Sequence, residues 1–169
     1  MTYIYILESL IKKHLKNFSF EDGNSLLECD FLDTYSNNIA EYIDPYPEWQ
    51  TVPIFYLIKY SYGINYLSPI SYKFYIQSLM WNYIKNRDVF IKEINGLEQW
   101  FHSLFPLNEE YCIDNEKFTK LTDISSTEGR VISYFLFCIY HDPLISNEIK
   151  ILVKDINSSF WMSWKYTLN

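Results

Sequence analysis

Glycine is scarce in this chain, with four in 169 residues, and there are six prolines. Sheet sandwiches and barrels need frequent tight turns rich in both residues, so the shortage argues against an all-β fold and for helices. Cysteine is scarcer still. Cys29, Cys112 and Cys138 are odd in number, far apart and without a CxxC pair. A disulfide framework or structural zinc site is therefore not expected, and buried reduced thiols are. No long apolar run exists. The longest, VISYFLFCIY at 131–140, has ten residues, too few to cross a bilayer as a helix. The N-terminal MTYIYILESLIKKHLK has no basic stretch before its apolar part and does not read as a signal peptide. These absences predict a soluble, cytoplasmic protein.

Catalytic signatures are missing too. His14, His102 and His141 each stand alone in their segments, with no HxH, HExxH or HxE…CxxC pattern. Walker, GxGxxG and GxSxG motifs are absent. Cys138 sits inside an apolar run, where a core thiol is expected rather than a nucleophile. No enzyme activity, cofactor or metal is expected. A ribonuclease-like pairing of His14 and His102 with a lysine is the weaker alternative.

What is present is apolar and aromatic. Hydrophobic residues make up 49% of the chain and aromatic ones 20%, enough for a sizeable core in one domain spanning 1–169. Residues 2–17 have helical spacing at Ile4, Leu7, Ile11 and Leu15, with Lys12, Lys13 and Lys16 at the end that favours cations. FSFEDGNSLLECD reads as a break, and 31–43 as a second helix. DPYPEWQTVP is punctuation. Pro53 suits the first turn of a helix running to about Tyr62, with Gly63 as a left-handed cap. Ser68-Pro69 is a cap followed by proline at the first helical position, opening a helix over 69–85. Its polar positions, Ser71, Ser78, Asn82 and Lys85, form one narrow stripe, and nearly all others are apolar or aromatic. Such a helix is buried on most sides. A membrane span is a poor fit with Lys73, Gln77 and Asn82 inside it, and an aromatic ligand box is a weaker reading than core.

Asp88 is expected to cap a single helix, DVFIKEINGLEQWFHSLF, with Val89, Ile91, Ile94, Leu97, Trp100, Phe101 and Leu104 inward and Gly96 allowing a kink or a close approach. PLNEEYCIDNEK is an acidic connection. Further helices start near Ser125 or Ser126 and at Ser146. The first ends at His141-Asp142-Pro143, and the second breaks near Ser158-Ser159. The expected fold is an all-α bundle of about six to eight helices around the aromatic-rich helix at 69–85.

The net charge is −7, which disfavours sequence-independent nucleic-acid binding and anionic membranes. The charge is unevenly spread. Between Lys16 and Lys59 there is no Lys or Arg, while Glu21, Asp22, Glu28, Asp30, Asp33, Glu41, Asp44 and Glu48 all fall there. A second cluster is Glu109, Glu110, Asp114 and Glu116. A solvated face is the ordinary reading. The sharper one is a docking surface for a basic protein, with Tyr35, Tyr42 and Tyr46 as anchors among the acids. DGNSLLECD lacks the alternating ligands of an EF-hand.

Several of these segments form a wider pattern: Trp49, Val52-Pro53, Tyr66-Leu67-Ser68-Pro69 and Tyr72-Lys73-Phe74-Tyr75. EDGNSLLECDF lies upstream. Phe118, Leu121 and Thr122 lie downstream, before the run at 131–140. Over roughly 18–141 the chain resembles an uncharacterised family of small bacterial proteins, a domain of unknown function. The family commonly continues the core helix with leucine-proline-alanine, where this chain has Ile76-Gln77-Ser78. The resemblance implies a mainly helical fold and no particular activity. By analogy with a functional class, the expected role is that of an immunity protein, a monomer or weak dimer. It would neutralise a cognate basic, nuclease-type toxin domain, as in contact-dependent growth inhibition. The alternatives are a small enzyme using scattered His and Cys residues, or a helical adaptor.

Overall fold

The computed structural model describes residues 2–15, 23–33, 46–105, 119–121 and 123–161. Four serines start four of its helices. The hydroxyls of Ser25, Ser68, Ser125 and Ser146 accept from the backbone N–H of Glu28, Ser71, Glu128 and Ile149 at 2.9, 3.3, 3.3 and 3.5 Å. Each satisfies a donor that the first helical turn leaves without a partner.

The helices are α1 (Thr2–His14), α2 (Leu26–Asp33), α3 (Ile54–Lys59), α4 (Pro69–Lys85), α5 (Arg87–Lys92), α6 (Glu98–Ser103), α7 (Ser126–His141) and α8 (Asn147–Ile156). Among the described residues there is no strand. None of these helices is long and apolar enough to cross a membrane. The fold is all-α, with α4 central as the sequence predicts.

Helix α4 buries Tyr72, Phe74, Tyr75, Ile76, Leu79, Met80 and Tyr83. Three of its four stripe residues, Ser71, Ser78 and Asn82, are buried as well. Burying a hydroxyl or amide is tolerable when it is hydrogen-bonded. Ser78 donates to Phe74 O at 3.1 Å, and Asn82 donates to Val52 O at 2.9 Å. The helix runs unbroken through Ile76-Gln77-Ser78. Around it, Tyr83 meets Phe90 and Phe135 edge-on at 5.3 and 5.7 Å. Two indoles bond carbonyls near helix C-termini: Trp100 Nε1 donates to Leu57 O in α3, and Trp161 Nε1 to Leu104 O at the end of α6, both at 2.9 Å.

Four expectations need correction. SLLECD is helix, not break, because Ser25 and Glu28 form a reciprocal cap: Ser25 N also donates to Glu28 Oε2 at 3.3 Å. The rest of the predicted 31–43 helix, beyond Asp33, lies outside the described residues. Helix α3 ends at Lys59, and a 3-10 segment, Ser61–Tyr66, follows. Gly63 belongs to that segment and is not a left-handed cap. Its missing side chain admits the backbone of α2, since a Cβ there would lie 2.5 Å from Leu26 O and 2.7 Å from Asp30 N. The expected helix from Asp88 is three pieces, α5, a 3-10 turn Ile94–Leu97, and α6. Asp88 lies in the first turn of α5 rather than capping it, Phe90 is buried, and Val89 is exposed. Gly96 in the turn meets Ile58, which a Cβ would approach to 2.9 Å. Lastly, the chain does not break at Ser158-Ser159. After α8 it widens into a π turn, Asn157–Trp161, that sets Trp161 fully inside.

Candidate partner-binding surface

Of the described members of the acidic set, Glu28, Asp30 and Asp33 lie on α2, while Glu48 is exposed just before the 3-10 turn Trp49–Thr51. The position of α2 is fixed by hydroxyls from elsewhere in the chain. Leu26 N donates to the Tyr75 hydroxyl at 2.9 Å and Leu27 N to the Tyr56 hydroxyl at 3.2 Å. Just before it, Asn24 accepts from Ser68 N and donates to Tyr66 O, both at 2.8 Å, binding the entry of α2 to the entry of α4. Tyr56 of α3 and Tyr75 of α4 therefore bond backbone as well as fill the core.

Glu28 is half-buried and engaged in the Ser25 cap, so one of its oxygens serves the fold. Asp30 is half-buried on α2. Its charge reaches Lys59 on α3, whose ammonium is held above its ordinary range first by the neighbouring Tyr60 phenol and then by Asp30. Asp33 is the last residue of α2. Tyr46, expected as an exposed anchor, is half-buried with its ring edge-on to Tyr56 at 5.1 Å. Glu21, Asp22, Tyr35, Glu41, Tyr42, Asp44, Glu109, Glu110, Asp114 and Glu116 lie outside the described residues.

Sequence reasoning missed the exposed side chains of this region. Phe55 and Tyr62 are 59% and 60% exposed, and Tyr66 and Leu32 are exposed too. The available signal was their pairing with buried neighbours. In α3, Ile54, Tyr56 and Leu57 point inward, leaving Phe55 and Lys59, four apart, on the outer side.

The histidines have separate surroundings. His102 lies 3.5 Å from Glu98 on α6. His141, at the end of α7, contacts Tyr3, Phe137 and Tyr140. His14 ends α1. Cys29 and Cys138 are free and buried, and burial pushes each thiol up to about 12. Asn24 Nδ2 also donates to Cys29 Sγ at 2.9 Å. Among the described residues no group of three or more His, Cys, Asp or Glu side chains is placed to hold a metal ion.

Two ion pairs serve the fold. Arg87 grips Asp142 with two nitrogens, at 2.9 and 2.6 Å, while Tyr83 donates to the same carboxylate at 2.9 Å. Lys73 pairs with Glu128 at 2.8 Å across α4 and α7.

A family model matches residues 6–165, almost the whole chain. The chain belongs to DUF6714, a family of unknown function. No curated protein and no solved structure matches it. The DUF6714 match extends beyond the 18–141 span of the sequence resemblance, taking in most of α1 and all of α8. The seating of α2 by Asn24, Tyr56, Gly63 and Tyr75 lies wholly within the family domain.

Proposed function

We propose that this DUF6714 protein is a stoichiometric protein-binding module. In its most specific form it is an immunity protein that neutralises a basic, nuclease-type toxin domain, as in contact-dependent growth inhibition. The observation that carries the reading is the composition of the surface around α2. Asp30 and Asp33 belong to a stretch with eight carboxylates and no cation. Helix α2 itself exposes Leu32, and the neighbouring elements expose Phe55, Tyr62 and Tyr66. Exposed aromatics supply buried contact area on binding, and like-signed charge steers an oppositely charged partner and sets its register. In such a complex the carboxylates occupy the places of substrate phosphates and close the substrate path of the toxin.

The rigid seating of α2 favours this role, since a surface held in its bound shape loses less entropy on association. The test is charge reversal at Glu21, Asp22, Asp30 and Asp33, leaving Glu28 to cap α2. Association with the cognate toxin domain is expected to slow by about tenfold or more at low salt and to lose its salt dependence. Unchanged rates and affinity would remove this segment from the interface.

A further inference from the structure

Helices α1 and α7 lie side by side in opposite directions. At one end the Tyr3 ring meets Phe137 edge-on at 5.6 Å, and the Cys138 thiol faces Tyr3 O at 3.8 Å. At the other end Leu15, just past α1, shares a small cavity with Glu128 and Ile132 of α7. The buried residues Leu7 and Ile11 of α1, and Val131, Phe135 and Cys138 of α7, face the core. What remains outward is two adjoining rows. On α1 the row is Tyr3, Ile6, Leu10 and Lys13, at helical spacings of three and four. On α7 it is Arg130, Tyr134, Phe137 and His141, also at three and four. Tyr3 is 48% and Ile6 44% exposed; Tyr134 and Phe137 are half-buried, stacked on each other at 5.7 Å.

Both rows end in a cation, and at the same end, because the helices are antiparallel. Lys13 and Arg130 are exposed, and among the described residues neither makes an ion pair. Other cations nearby do: Lys12 and Lys85 share Glu8, Lys73 takes Glu128, and Arg87 takes Asp142. Among the described residues, a chain with net charge −7 thus leaves two exposed cations without an ion pair at one end of a largely aromatic and aliphatic face.

We infer that this face is a second interaction surface, and that it takes an acidic amphipathic helix of a partner protein. Such a helix lays apolar side chains at i, i+3, i+4 and i+7 between the two rows, against Tyr3, Ile6, Tyr134 and Phe137. Its carboxylates meet Lys13 and Arg130. From Tyr3 to Lys13 the row is about 15 Å long at 1.5 Å per residue, room for roughly three turns. The inference does not depend on the α2 surface, which has the opposite sign and would select a basic partner.

The experiment uses the full chain and two labelled helical peptides of about 15 residues, long enough to cover the face. Both carry leucine at i, i+3, i+4 and i+7. One has glutamate at the remaining positions and the other lysine. By fluorescence anisotropy the acidic peptide is expected to bind about tenfold or more tightly than the basic one. The exposed-site double variant Lys13→Glu/Arg130→Glu should abolish or invert that preference, and Ile6→Ser should weaken the acidic peptide with the preference kept. Binding of the basic peptide that the double variant leaves unchanged reports on the oppositely charged α2 surface, whereas affinity for the acidic peptide unmoved by the double variant overturns the proposal. So does a dimer in sedimentation that Ile6→Ser dissociates, because a second copy then covers the face.

Discussion

The Tyr75 hydroxyl accepts a hydrogen bond from the backbone N–H of Leu26 at 2.9 Å, so a side chain in the middle of α4 completes the first turn of α2. Both residues are fully buried, and no solvent is at hand to replace the bond. Tyr75→Phe keeps the ring and removes only the hydroxyl. A buried donor left without a partner costs about 1–3 kcal/mol, and urea unfolding of Tyr75→Phe should show a loss in that range. Hydrogen exchange should quicken first at residues 26–28.

Gly63 gives a second test of how α2 is seated. A methyl at this position points into backbone atoms of Leu26 and Asp30, which cannot rotate away. Overpacking of a tight contact costs about 1–3 kcal/mol, and Gly63→Ala is expected to lower stability by that much. Gly96→Ala meets only the Ile58 side chain, which can shift rotamer, so its cost should be smaller. Equal effects would contradict the distinction.

The start of α2 also shows where sequence reasoning reached its limit. Ser25 and Glu28 stand three apart, the spacing of a reciprocal cap. The structure shows such a cap at Ser125 and Glu128 too, where the sequence placed only a helix start near Ser125 or Ser126. At Ser25 it was overshadowed by Gly23 and Asn24, whose turn chemistry marked the whole segment as a break. The caps at Ser68 and Ser146, the burial of α4 and the end of α7 were legible because they are local. The roles of Tyr75, Tyr56 and Gly63 were not, since each depends on a partner 29 to 49 residues away or on a backbone approach. The α5–α6 break was half legible. Gly96 signalled a kink or close packing, but the inward turn of Phe90 in place of Val89 needed the register of α5. Of the acidic surface, Glu28, Asp30, Tyr46 and Glu48 have described side chains, and Glu48 is exposed. Glu28 and Tyr46 are partly committed to the fold.

The buried thiols contribute to the alkaline sensitivity of the protein, as do the buried phenols of Tyr72 and Tyr83, which burial also pushes up. Cys29 and Cys138 are raised by burial from an ordinary 9.0 to about 12. The folded state favours the neutral thiol, so between these values the unfolded chain binds fewer protons than the folded one. The stability contributed is complete below pH 9.0 and lost as pH rises toward about 12. Chemical unfolding across that window should show a decline that is shallower in Cys138→Ala than in the parent. Thiol-reactive dye at neutral pH should label both residues slowly until the protein unfolds.

Gln77 is buried on α4, and among the described residues neither its amide nitrogen nor its oxygen has a hydrogen-bond partner. It lines the small cavity shared by Leu15, Ile132 and the Lys73–Glu128 pair. Gln77→Met has a similar shape and removes the unsatisfied polar atoms, so a gain of about 1 kcal/mol in stability is expected from urea unfolding. A loss would mean that the amide is bonded in solution.

The central claim is that this surface binds a protein partner. Its most direct test is a calorimetric titration of the purified chain with the C-terminal domain of the protein encoded immediately upstream. The account predicts one-to-one binding with nanomolar affinity and loss of that domain's toxic activity in the complex. Absence of binding at micromolar concentration, with the toxic activity intact, would contradict it.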